Sequence, residues 1–243
     1  ALAFVGDRIA GIKAFSVEIS LSEVTMPVEG NFTGAIMATA EMGPSASPDL
    51  IQTFQSAMQG RTKVMRVNLR DDDYWWSTRV FLIAALAEDY TGVDALAFVR
   101  SGDDRIFVGI AAPRAVRKRL GSRFPDYEIA YRKVRAETVV GASPDPCREV
   151  QEILTWRWPQ ALQPSEQQIR LIVRAEDLKT WLDGELDDES LPFGPLTSLL
   201  RYRITARPRR FAALTDKSRL AAIVDRDEIA RRASLLELEH RLI

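Results

Sequence analysis

Two stretches limit what this chain can become more than any other. In each, a pair of apolar β-type runs is joined by a short turn and followed at once by a helix. Residues 94–120 read DALAFVR, SGDD, RIFVGIAAP, RAVRKRL, and residues 211–242 read FAALTDKSRLAAIVD, then RDEIARRASLLELEHRL. Two apolar runs joined by a polar turn predict a β-hairpin, and Pro113 with Gly121 brackets a short helix behind the first one. A hairpin of this kind cannot bury itself, so each copy needs a further strand and helix to complete a layer.

Upstream of the first hairpin, Val64–Leu69 alternates, with Met65, Val67 and Leu69 on one side, which predicts a strand. The run that follows, DYWWSTRVFLIAALAEDY, is apolar almost all the way round and predicts a largely buried helix. For the second copy, IRLIV at 169–173 reads as the strand and EDLKTWLDGEL at 176–186 as the helix, leaving an insertion around LPFGPLTSLLRYRITARPRR. The fold class expected is therefore α/β (α+β), two βαββα units related as an internal repeat, preceded by an N-terminal strand and helix. SVEISLSEVT supplies that strand, and Pro48 to Gly60 supplies the helix, with Ser47 as N-cap. The boundaries expected are 1–62 for the N-terminal segment, 63–136 for the first unit, 137–165 for a helical linker and 166–243 for the second unit.

Asp71, Asp72 and Asp73 admit two readings. They suit a helix start, with Asp71 as N-cap and the next two against the positive end of the helix dipole. Asp71 and Asp73 also form a D-x-D after a strand, a pattern that can hold a divalent metal if further oxygen ligands converge. With no second acidic cluster in view, the helix start is the reading adopted, and no catalytic residue, metal site or cofactor is assigned.

Inventory removes several enzyme classes. Cys147 is the only cysteine and His240 the only histidine, so an internal disulfide and a multi-cysteine zinc site are excluded, which fits a reducing, cytoplasmic setting. The phosphate-loop, dinucleotide-fold and nucleophile-elbow motifs are absent from the sequence. Its longest apolar run, Val80 to Ala87, is too short to span a bilayer. The start at Ala1, with ALAFVG before Asp7, is expected to be an ordinary trimmed terminus, the alternative being a membrane anchor or another domain upstream.

The strand-helix-strand-strand-helix pattern, clearest in ALTDKSRLAAIVDRDEIA, resembles the CBS domain, a regulatory unit that pairs in tandem. The resemblance covers residues 64–121 and 168–235 and implies a sensor of adenosine-containing ligands. In that family a carboxylate after the last strand binds ribose. The second copy has Glu228 at that position, with Asp225 where the family's strand ends in Ser or Thr, whereas the first has Ala115.

Charge is balanced overall, at 33 basic and 34 acidic residues, yet segregated. Pro113 to Arg135 holds eight basic residues against two acidic, and Arg201 to Arg210 holds five arginines and no acid. Guanidinium forks suit phosphate oxygens. Arg114, Arg117, Arg207, Arg209, Arg210, Asp225 and Glu228 are thus the expected ligand-binding residues. The function expected is a regulatory or sensor module that takes a small anionic ligand, such as a nucleotide, between two related units. The alternative is an interaction or assembly domain without a small ligand, forming a homo-oligomer or binding a partner protein. A carboxylate-dependent enzyme is the least favoured class. Nucleic acid is not an expected partner, given a pI of 6.1.

Overall fold

The computed structural model describes residues 25–26, 32–33, 37–40, 48–60, 63–69, 76–100, 106–139, 145–154, 171, 173–194 and 198–231. The strands are β1 (Thr25–Met26), β2 (Phe32–Thr33), β3 (Met37–Ala40), β4 (Val64–Asn68), β5 (Ala95–Arg100), β6 (Ile106–Ala111), β7 (Ser190–Pro192), β8 (Phe211–Asp216) and β9 (Arg219–Asp225). The helices, numbered in chain order, are α1 (Pro48–Met58), α2 (Ser77–Tyr90), α3 (Pro113–Arg123), α4 (Pro125–Val139), α5 (Pro146–Glu152), α6 (Ala175–Trp181) and α7 (Ser198–Thr205). A last helix is described over 226–231.

The chain is a mixed α/β fold. Strands β1 and β2 form a small antiparallel pair, and the other seven form one sheet in the order β3-β4-β5-β6-β9-β8-β7. In the first half of the sheet β3, β4 and β5 are parallel and β6 returns antiparallel; in the second β7 and β8 are parallel and β9 returns antiparallel. The halves meet where β6 and β9 share a single register pair, Ile106 with Arg219.

The sheet is folded over on itself at that meeting point. From Ile106, β6 runs towards one end of the sheet and β9 towards the other, so a flat sheet would hold Asp94 and Arg210 on the order of 40 Å apart. Instead the Arg210 Nη1 donates to Asp94 Oδ2 at 2.9 Å. The two halves therefore lie face to face, and alternation along each strand sorts its side chains between an inner and an outer core.

Three apolar clusters follow from this arrangement. Met65, Val67, Leu69, Leu96, Phe98 and Val108 face outward against α1 to α6. Val64, Ala95, Ala97, Val99 and Ile110 face inward and meet Phe211, Ala213, Leu220 and Ile223 of the second half. Ala212, Leu214, Ala222 and Val224 face outward on the other side against Ile204 of α7 and Ile229 of the last helix. The order of layers is helices, half-sheet, half-sheet, helices.

Several local expectations hold and others do not. Both hairpins form as β5–β6 and β8–β9, the second turning through Lys217 and Ser218 at positive φ. The helix from Pro48 forms, and Gly60 closes it at φ +72°. The strand expected over residues 16–22 lies outside the described residues.

The helix-start reading of the acidic triplet is overturned. Helix α2 begins at Ser77, with Trp76 as N-cap and no acidic residue in its first turn. The Ser77 N–H is taken by the carbonyl of Leu171 at 2.9 Å, so a neighbouring segment does the work of a cap. Asp71 to Asp73 themselves lie outside the described residues.

The second unit is also assembled differently. Leu171 and Val173 are not in a strand, and α6 ends at Trp181 and packs Ala175, Leu178 and Trp181 into the first outer core. The strand and helix ahead of the second hairpin are β7 and α7, drawn from the stretch read as an insertion.

At Gly109 a Cβ would stand 2.6 Å from the Leu186 Cγ. Close approach of the segment after α6 thus requires glycine. Gly109→Ala should lower stability by about 1–3 kcal/mol through overpacking, and adding Leu186→Ala should recover part of the loss. Urea unfolding of both variants measures this; equal losses in the single and double variants would contradict the contact.

Candidate functional site

Helix α3 leaves β6 directly, with Pro113 at its first position, and packs against α2 and α4. Glu88 and Asp89 end α2, where the helix dipole disfavours acids. Cations brought from α3 and α4 offset this. The Arg117 Nε and Nη2 donate to the two Glu128 carboxylate oxygens at 3.1 and 2.7 Å. Its Nη1 donates to Glu88 at 3.3 Å and Asp89 at 3.1 Å. The guanidinium also lies 4.9 Å from the centre of the Tyr131 ring.

Asp89 closes the network, accepting from the Tyr131 hydroxyl at 2.9 Å and from Arg135 at 2.8 Å. Its energetics follow from burial and pairing. The Arg117 hydrogen bond holds the Glu128 carboxyl below the usual carboxylate range, against the opposing pull of burial. Burial pulls the Arg117 guanidinium down, but the Glu128 hydrogen bond and the Asp89 and Glu128 charges outweigh it and leave it raised. Burial first, then the Asp89 charge, pushes the Tyr131 hydroxyl up. The network staples α2, α3 and α4 together.

Beside the staple is an open groove of about 410 Å³ lined by Glu88, Arg114, Arg117, Lys118, Gly121, Ser122 and Glu128. Three cations face two carboxylates there. Arg117 spends its donors on the carboxylates, whereas Arg114 is 87% exposed, reaching Glu88 only at 4.0 Å. Lys118, also exposed, lies one helical turn further on, on the same face. An anion entering the groove would meet these two side chains and the Ser122 hydroxyl.

The other predicted residues lie outside this groove. Arg207 donates to Asp187 Oδ1 at 2.7 Å and pairs with Glu189 at 3.2 Å. Arg209 donates to the Gly184 carbonyl at 2.5 Å. Arg210 joins Asp94 to Asp225, at 2.9 Å from each. Asp225 also accepts the backbone N–H groups of Asp227 and Glu228, which caps the last helix. Glu228 pairs with Arg231. These arginines are engaged with their own chain, and they tie the second half to the first.

Sequence reasoning counted Lys118 in the basic run but assigned it no role, and missed Glu88, Asp89, Glu128 and Asp94. One signal was present: an acidic pair at the C-terminus of α2 implies cations from elsewhere. Among the described residues no group of three or more His, Cys, Asp or Glu side chains could hold a metal ion, and no helix is long and apolar enough to cross a membrane.

Comparison with known proteins adds no relative to this geometry. No protein-family model, no curated protein and no solved structure matches the chain.

Proposed function

We propose that this chain is an intracellular regulatory module that senses a small anionic ligand, with phosphate-bearing nucleotides among the candidates. The ligand sits in the α2–α3–α4 groove rather than between the two halves. The observation that carries this reading is the exposed pair Arg114 and Lys118, held on a groove whose remaining cation is already satisfied. The Arg117 staple fixes the floor, so the ligand meets a rigid site.

A route outward from the groove exists. Helix α3 continues from β6, and on its other side the Arg119 Nη2 donates to the Asp183 carbonyl at 2.8 Å. A ligand that favours one position of α3 therefore favours one arrangement of the segment after α6. We read the two halves as a duplicated βαββα unit of the regulatory kind that the sequence resembles. The common pairing senses of β4-β5-β6 and β7-β8-β9 support this.

Thermal shift at matched ionic strength tests the reading, with inorganic phosphate, pyrophosphate, ADP, ATP and cyclic nucleotides as probes. A ligand at a hundred times its Kd contributes about 2.7 kcal/mol of apparent stability. At least one probe should raise Tm in the unmodified chain and lose most of that effect in Arg114→Ala/Lys118→Ala. An undiminished shift in the double variant, or none in the unmodified chain, would count against it.

A second reading, an interaction or assembly domain acting as a homo-oligomer or with a partner protein, draws on Ile129 of α4 and Tyr202 of α7. These apolar side chains are 66% and 70% exposed on the two outer layers. An oligomer that dissociates in Ile129→Asp or Tyr202→Asp, with no response to anions, would favour it.

A further inference from the structure

We infer that the loop Arg207-Pro208-Arg209-Arg210 is a releasable clamp that holds the two half-sheets together, so that loosening it lets the second half part from the first. Backbone pairing at the seam is slight. Among the described residues, strands β6 and β9 share one register pair, with the Phe107 N–H donating to the Ser218 carbonyl at 3.0 Å, and a bridge joins Ile110 to Asp187. The inner core mixes small side chains, Ala95, Ala97, Val99 and Ala213 among them, with Ile110, Phe211, Leu220 and Ile223. The outer core instead buries Phe54, Phe81, Phe98, Tyr127 and Tyr131. Apolar burial alone therefore binds the first half to its own helices more firmly than to the second half.

The clamp supplies what the seam lacks, with one arginine at each of three points. Arg207 and Asp187 form a nearly buried pair, 10% and 12% exposed, on the residue that also bridges to β6. Arg209 holds the Gly184 carbonyl, one residue beyond the Asp183 carbonyl held by Arg119 of the first half. Arg210 sits at the rim, 44% exposed, between Asp94 of the first half and Asp225 of the second, with Lys63 also 3.8 Å from Asp94. The buried pair fixes geometry, and the rim pair is open to water and to screening by salt. Release at the rim frees Arg210 and uncovers the inner faces of β5 and β8, a surface of small apolar side chains suited to local opening.

Hydrogen exchange resolved by peptide, on the full chain, tests this. In Arg210→Ala, amides of β8 and β9 should exchange at least tenfold faster than in the unmodified chain, while those of α2 and β4 keep their rates. Raising salt to 1 M NaCl should reproduce the pattern in the unmodified chain and add little in Arg210→Ala. Equal acceleration in both halves, or no change in β8 and β9 under either condition, would overturn the inference. If Arg210→Ala does not fold, the salt experiment on the unmodified chain decides alone.

Discussion

Arg117→Ala should cost roughly 3 kcal/mol of folding free energy, the low end for removing one partner of a buried charged network. The low end applies because Arg117, Asp89 and Glu128 keep 15–23% of their side-chain surface in water. Alanine would leave Glu88, Asp89 and Glu128 with fewer cations to face, and three helices would lose their common tie. The acid dependence should change with it. Because the folded-state Glu128 carboxyl lies below its ordinary value, its contribution is fully present above the usual glutamate range and is lost as pH falls through the folded value. Urea unfolding from pH 7 down to pH 3 should show this acid loss in the unmodified chain and a shallower one in Arg117→Ala. A loss under 1 kcal/mol, with the acid limb unchanged, would mean that the network contributes little.

The other large effect lies beneath the groove. Phe81 is fully buried and meets Tyr127 and Tyr131 edge-on, with ring centres 5.6 and 6.3 Å away. A Cβ at Gly121, on the groove wall, would stand 3.5 Å from the Phe81 ring. Phe81→Ala should destabilise the chain by about 3–5 kcal/mol, since aromatic truncation in a dense core leaves a cavity the neighbours cannot fill. Ile129→Ala, on the exposed face of α4, serves as the comparison and should stay within about 0.5 kcal/mol. Denaturant melts of the pair give the answer. Similar small losses in both would contradict the central place given to Phe81.

What could be read from the sequence follows the range over which each signal acts. The β8–β9 hairpin was legible because its strands are adjacent in the chain and its turn is short. Helix α2 was legible as a buried helix from its continuous apolar run. Its start was not, since the cap is the Leu171 carbonyl, a partner some hundred residues away that no local pattern names.

The second unit was misassembled for a similar reason. IRLIV is apolar enough to suggest a strand. The real strand β7 has three residues, with Ser190 and Pro192 exposed, and only its pairing with β8 makes it one. The arginines show the same limit at the level of chemistry. Sequence shows where positive charge collects, but whether a guanidinium meets a ligand or a carboxylate of its own chain depends on tertiary contacts. Arg207 and Arg210 meet Asp187, Asp94 and Asp225. Of the predicted set, Arg114 is exposed at the groove and Arg117 is held by the carboxylates beside it.

The clamp and the route from groove to seam both require that the two half-sheets close face to face. Pulsed electron spin resonance on the Cys147→Ser chain, labelled at Lys63→Cys and Pro208→Cys, measures this directly. The folded-over sheet predicts a main separation below about 25 Å, and a main separation of about 40 Å or more, as an opened sheet would give, would contradict it.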